Sequence, residues 1–112
     1  MTGDSGIGQA LDAVMATIDA RRGADPSGSY TASLLAAGPE RCAKKLGEEA
    51  VEAALAGALG HREELTAEAA DVLYHLAVLL AVNEIGWDGV ADALKGRTAQ
   101  SGLAEKAARS SG

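Results

Sequence analysis

The sequence predicts an all-α fold, a small antiparallel helical bundle that homodimerisation completes. Apolar residues recur at the three- and four-residue spacing that places them on one face of a helix. Aromatic residues make up only 3% of the chain, so the core must consist largely of Ala, Leu and Val, which favour close packing of helices. A chain of 112 residues forms one domain and buries a modest share of its surface as a monomer, which favours a dimer.

The first predicted helix follows a polar, Gly-rich leader at residues 1–6, which we expect to be disordered. Apolar residues within 11–18 share one face of this helix, and two arginines followed by a glycine end it. Residues 24–30 contain Pro, Ser and Gly and are predicted to form a loop, after which residues 31–36 form a short helix. The helical domain as a whole is predicted to span residues 7–95.

Two longer helices come next in the prediction. Pro39 is suited to the first turn of one of them, because its missing N–H would be unpaired there in any case, and this helix continues to about residue 59. The next covers residues 63–83, and its wide apolar surface is typical of a central helix. A shorter helix covers 88–95. Residues 96–112 carry little apolar periodicity, so they form a C-terminal segment that is either docked or mobile.

Composition excludes several classes of partner. The formal net charge of −6 argues against binding to nucleic acid or to an anionic membrane, because both require a basic surface. No secretory signal is visible, and the longest apolar run is interrupted by His75 and is too short to cross a bilayer. A single cysteine allows no internal disulfide, which fits the reducing cytosol. We therefore expect a soluble, cytoplasmic protein.

Two acidic clusters lie on the two long helices, Glu48, Glu49 and Glu52 on the first and Glu68 and Asp71 on the second. At about 100° per residue each cluster shares one helix face, and antiparallel packing would bring the two clusters together. Carboxylates this close repel each other unless a divalent cation compensates their charge. Ligands that are all oxygen favour Mg²⁺, or Mn²⁺ in its place, and Mg²⁺ suggests a phosphate-containing substrate. A di-iron redox site in a helical bundle would use Glu-x-x-His, whereas the second helix carries Glu68-x-x-Asp71. This difference weakens the redox alternative.

Three cationic side chains precede the first acidic cluster. Arg41 and Lys45 share one side of the helix, with Lys44 beside them, so these residues are candidates to bind the phosphates of a substrate. The alternative is ordinary pairing with the glutamates three and four residues further on. His75 lies near the face of the second acidic cluster, where it either contacts a bound phosphate or is a hydrogen-bonded core histidine.

Several blocks of this sequence resemble the phosphoribosyl-ATP pyrophosphatase family. The blocks are residues 29–35 (SYTASLL), 38–41 (GPER), 44–52 (KKLGEEAVE), 68–76 (EAADVLYHL) and 101–109 (SGLAEKAAR). The Glu-Glu-x-x-Glu and Glu-x-x-Asp motifs are shared with the wider MazG-like all-α nucleotide pyrophosphatase superfamily, so they indicate the chemistry but not the substrate. The first two blocks are more specific and favour the histidine-pathway family. Trp87 and Gly89, before the last helix, depart from what we expect of the family.

The resemblance implies a homodimeric α-helical enzyme that hydrolyses phosphoribosyl-ATP to phosphoribosyl-AMP and pyrophosphate, the second step of histidine biosynthesis. By matched position, Mg²⁺ would be held by Glu49, Glu52, Glu68 and Asp71. Glu48 would be a further ligand or would orient the attacking water. A carboxylate that is not bound to the metal would accept the proton of this water. The implied catalytic candidates are Glu48 and Glu49. The implied substrate contacts are Arg41, Lys44, Lys45, Tyr30 and Ser33.

Two rival functions stay open at the level of the sequence. The first is a pyrophosphatase of the same superfamily that acts on dUTP, dCTP or noncanonical nucleoside triphosphates. The second is a non-catalytic helical dimerisation module whose acidic clusters are merely solvated. A panel of substrates distinguishes the first rival, and stabilisation by Mg²⁺ distinguishes the second, because ordinary surface carboxylates respond little to this ion.

Overall fold

A computed structural model describes residues 5–99 of the chain. Five α-helices and one 3₁₀ turn account for most of these residues: α1 Ile7–Ala20, the turn Pro26–Gly28, α2 Tyr30–Ala37, α3 Pro39–Ala58, α4 Arg62–Val82 and α5 Trp87–Ala99. No strand occurs among the described residues, so the prediction of an all-α fold is confirmed. The leader, apart from Ser5 and Gly6, and the tail block 101–109 lie outside the described residues.

Local signals place the breaks between helices where the sequence predicts them. The Ser29 hydroxyl accepts a hydrogen bond from the Ala32 N–H and so caps the start of α2. Gly38 has a φ of 94°, a conformation that strongly favours glycine, and it joins α2 to α3 in a single residue. Gly60, with a φ of 74°, similarly ends α3 and allows α4 to fold back along it. These turns place α2, α3 and α4 side by side.

Helix α4 is the centre of the bundle, as its wide apolar surface predicts. It packs antiparallel to α3 over most of its length and also contacts α1 and α2. The core cluster joins residues of four helices: Ile18, Leu34, Cys42, Ala77, Val78 and Ala81. Small residues on α4 let its neighbours approach closely. The Cys42 Sγ donates a hydrogen bond to the Leu34 carbonyl, and burial raises the pKa of this thiol, so Cys42 serves as a small core residue.

The last helix continues beyond its predicted end. We expected it to end at Lys95, whereas α5 runs to Ala99, so a domain boundary at residue 95 would cut through a helix. Gly96 does not end the helix, because a glycine inside a helix costs only about 1 kcal/mol relative to alanine. Trp87 anchors the start of α5, since its indole N–H donates to the Leu11 carbonyl at 2.9 Å.

Helix α4 is long and apolar enough to cross a membrane by its length and composition alone. A single helix of this kind is weak evidence, because the core helix of a soluble protein passes the same test. Helix α4 also packs against three neighbouring helices and carries Glu68, Asp71 and His75. These features are those of a core helix.

Candidate active site

Three carboxylates meet where α3 packs against α4. Glu49 on α3 and Glu68 and Asp71 on α4 each offer one oxygen, and these three atoms lie within 4.8 Å of one another. Glu49 and Glu68 are partly buried, and Asp71 is exposed. We call these three residues the carboxylate cluster. Three oxygens at this separation can bind one divalent cation together, so the two acidic motifs converge across the helix pair in the way the sequence suggests.

The other two acidic candidates occupy different positions. Glu52 lies one turn along α3 from Glu49 and acts electrostatically on Glu68, so it borders the carboxylate cluster. Glu48 is half exposed and forms an ion pair with Lys45, with 3.2 Å between Glu48 Oε1 and Lys45 Nζ. The structure therefore brings Glu52 to the edge of the cluster and directs Glu48 towards a neighbouring cation.

Glu68 is the member of the cluster in the least favourable environment. Its Oε2 atom is buried and has no hydrogen-bond partner among the described residues. Burial, followed by the nearby charges of Glu52 and Glu49, raises the pKa of this carboxyl from 4.5 to about 7. Two ionised carboxylates can only accept hydrogen bonds, so a hydrogen bond between Glu68 and either Glu49 or Glu52 requires a proton on one of the two partners. A buried carboxylate oxygen that accepts no hydrogen bond is expected of a residue whose partner is a cation.

The metal-free protein should lose stability as the pH rises through this region. Between about pH 4.5 and pH 7, the folded state holds the Glu68 proton more tightly than the unfolded state does, so the free energy of unfolding falls with rising pH. We expect Glu68→Gln to weaken this fall, because glutamine does not titrate. Thermal unfolding in chelator over about pH 5 to pH 8 measures the difference.

The matched control for this prediction is Glu63→Gln. Glu63 lies in the first turn of the same helix, is exposed and forms no ion pair with another described residue, so its substitution makes the same change of charge in solvent. The midpoint of the control should follow the wild-type dependence on pH. Curves for Glu68→Gln and wild type that run parallel would show that Glu68 does not titrate abnormally.

The cations on α3 differ in how they are paired. Lys45 is partly buried, and its pKa is raised first by the hydrogen bond to Glu48 and then by electrostatic interaction with Tyr30. Arg41 and Lys44 are exposed and form no ion pair with another described residue. Simple pairing with the following glutamates therefore accounts for Lys45 and leaves Arg41 and Lys44 available to a substrate.

Helix α2 brings Tyr30 against His75 on α4. The Tyr30 hydroxyl lies 3.2 Å from His75 Nε2, and His75 Nδ1 lies 2.8 Å from the Asp71 carbonyl oxygen. His75 is 6% exposed, so its ring lies behind Tyr30 instead of at the surface. The Ser33 hydroxyl donates to the Tyr30 carbonyl at 2.7 Å, one turn back in its own helix.

Two contacts in this region were not predicted from the sequence. The Tyr74 hydroxyl forms a hydrogen bond with the Thr31 hydroxyl, and the Tyr74 ring stacks on the Tyr30 ring with centroids 6.4 Å apart. The only signal for these contacts in the sequence is that Tyr74 and His75 are adjacent in block 68–76. The partners depend on how α2 crosses α4, which helix periodicity does not specify.

Comparisons with known proteins agree closely. Residues 11–98 match the family model described as Phosphoribosyl-ATP pyrophosphohydrolase. A protein of Ruegeria pomeroyi named phosphoribosyl-ATP pyrophosphatase is 54% identical over 102 residues, which are 91% of this chain and 97% of the relative. Its namesake in Rhodobacter capsulatus is 55% identical over 100 residues, covering 89% of this chain and 97% of the relative. The protein of the same name in Dinoroseobacter shibae is 56% identical over 94 residues, which are 84% of this chain and 92% of the relative.

Proposed function

The chain belongs to the phosphoribosyl-ATP pyrophosphohydrolase family, and from this premise we propose how its residues carry out the reaction. It is a hydrolase that converts phosphoribosyl-ATP to phosphoribosyl-AMP and pyrophosphate, the second step of histidine biosynthesis. The observation that carries the mechanism is the convergence of three carboxylate oxygens within 4.8 Å where α3 packs against α4.

A divalent cation fits this cluster. The donors are all carboxylate oxygens, and the buried, unpaired Oε2 of Glu68 has no other source of compensation among the described residues. We assign Mg²⁺, or Mn²⁺ in its place, to Glu49, Glu68 and Asp71, with Glu52 completing the ligand set from the edge of the cluster. A bound Mg²⁺ supplies charge that polarises the phosphate oxygens and lowers the pKa of a coordinated water.

The remaining polar side chains prepare the substrate and the water. Arg41 and Lys44, exposed and without ion-pair partners among the described residues, offset the charge of the phosphate chain. Glu48 is not a member of the carboxylate cluster, although it lines the same hollow as Glu49, so it is the group available to orient the attacking water and accept its proton. Its 3.2 Å ion pair with Lys45 holds this half-exposed carboxylate at the surface of α3.

A homodimer accounts for an apolar stripe on α3 that the single chain leaves uncovered. Val51, Leu55 and Leu59 are 60%, 58% and 67% exposed, although they lie at four-residue intervals on one face of α3. Such a stripe is typical of a helix packed against another subunit. It runs beside an open hollow of about 570 Å³ lined only by α3, including Glu48 and Glu52, so a partner subunit would border the site.

We propose a cytoplasmic location for the enzyme. The family is soluble, and its substrate is a metabolite of amino-acid biosynthesis. We place the enzyme in the cytoplasm, where a buried, reduced cysteine and a net charge of −6 are both ordinary.

Incubation of the purified protein with phosphoribosyl-ATP, ATP, dUTP and dCTP, each with Mg²⁺ or with chelator, tests this function. Phosphorus NMR follows the release of pyrophosphate. We expect release from phosphoribosyl-ATP only, and only with Mg²⁺. Turnover of dUTP or dCTP in its place would keep the chemistry and overturn the pathway. If the protein is folded and supplied with Mg²⁺ but turns over none of these substrates, the result would support the hypothesis of a non-catalytic dimerisation module.

A further inference from the structure

The hydrogen bonds of His75 define which of its ring nitrogens carries the proton. A carbonyl oxygen can only accept, so the 2.8 Å contact with the Asp71 carbonyl requires a proton on Nδ1. In the neutral imidazole, Nε2 is then without a proton and can only accept. The hydroxyl of Tyr30, 3.2 Å away, therefore donates its proton to His75. His75 is 6% exposed, and these are its two hydrogen bonds among the described residues.

This arrangement determines what the Tyr30 hydroxyl can offer to a substrate. Since its proton points at His75, the oxygen presents only lone pairs to the outside, so it can accept from a hydroxyl or amino group but cannot donate to a phosphate oxygen. The Tyr30 side chain is 50% exposed, and the Tyr74 ring supports one of its faces. A purine or a ribose carries the apolar surface and the donors that match such a group.

The position of Tyr30 suits the nucleoside part of the substrate. Lys45 lies one turn before Glu49 on α3, and His75 lies one turn after Asp71 on the antiparallel α4. The Tyr30 hydroxyl lies 3.2 Å from His75 Nε2, so it lies about one helical turn, or roughly 5.4 Å, along the helix pair from the carboxylate cluster. The electrostatic effect of Tyr30 on the pKa of Lys45 agrees with this position. A nucleoside attached to phosphates at the cluster can extend to that level.

We propose that His75 is a positioning residue that holds the Tyr30 hydroxyl as a hydrogen-bond acceptor, so that Tyr30 contacts the adenine–ribose part of phosphoribosyl-ATP. This inference rests on the proposed function and adds the group that recognises the nucleoside. His75 itself acts through Tyr30 and touches no phosphate.

Three single variants and one double variant test this arrangement. Tyr30→Phe removes the acceptor oxygen, and His75→Asn retains a polar group near Nδ1 but loses the acceptor that holds the Tyr30 proton. We expect each to raise KM for phosphoribosyl-ATP about tenfold and to leave kcat within about twofold, because the contact is present before the transition state. His75→Gln, whose amide oxygen reaches the position of Nε2, should restore most of the affinity.

The double variant separates positioning from a merely structural role. If His75 acts through the Tyr30 oxygen, the combination Tyr30→Phe with His75→Asn should raise KM no more than either single change. His61→Asn, an exposed histidine at the start of the same helix, is the matched control and should match the wild type.

The outcomes are distinguishable from those of the proposed function. Wild-type protein that fails to turn over phosphoribosyl-ATP overturns that function, and the inference with it. Active wild type with an unchanged KM in Tyr30→Phe overturns the inference alone, as does an additive increase in the double variant. If His75→Asn fails to fold, the KM of Tyr30→Phe still tests the inference. Tyr30 is half exposed, so its substitution leaves the core intact.

Discussion

Glu49→Gln, Glu68→Gln and Asp71→Asn should each lower kcat/KM for phosphoribosyl-ATP by about a thousandfold or more. With the cation we propose at this cluster, whose three oxygens lie within 4.8 Å, each change would remove one charged ligand, so the cation would be held less well where negative charge develops in the reaction. Steady-state kinetics at saturating Mg²⁺ measures the loss.

The same variants should remain folded, which separates loss of the metal from loss of structure. Wild-type protein should unfold at a higher temperature with Mg²⁺ than with chelator, and the three variants should show little difference. Glu64→Gln, outside the cluster, should keep both the activity and the response to Mg²⁺. Near-normal turnover by any of the three variants would remove that residue from the ligand set.

Leu55→Glu should convert a dimer into a monomer. Leu55 is 58% exposed in the middle of the α3 stripe, and a charge there would have to be buried without a partner when two subunits meet. Light scattering at several protein concentrations measures the mass, which we expect to fall by half. Activity should fall with it, because the stripe borders the hollow that contains Glu48 and Glu52.

Leu94→Glu is the matched control for this change. Leu94 is equally exposed, at 58%, but lies on α5 on another face of the bundle. We expect it to leave the mass of the dimer unchanged. A dimer that survives Leu55→Glu and dissociates with Leu94→Glu would move the interface to α5, and a wild-type monomer would contradict the proposed dimer altogether.

Much of the fold could be predicted because the signals are local. Pro39, Gly38 and Gly60 act through their own backbone preferences, so the breaks around α3 follow from a few neighbouring residues. The continuation of α5 past Lys95 was missed because Gly96 is only a weak helix breaker.

By itself, the sequence determined the helices, the family and the types of residue available for chemistry. Periodicity assigns a carboxylate to a helix face, because side-chain direction repeats every 3.6 residues or so. The motifs then indicate which carboxylates belong to the family's chemistry, and comparison with relatives confirms the family.

Only the tertiary structure decided which of these side chains meet and in what state. The rotation and register of α3 against α4 join Glu49 to Glu68 and Asp71, while Glu48 pairs with Lys45. The same packing buries one oxygen of Glu68 and places His75 behind Tyr30. These outcomes depend on distances between residues far apart in the chain, which the core packing sets and helix periodicity does not.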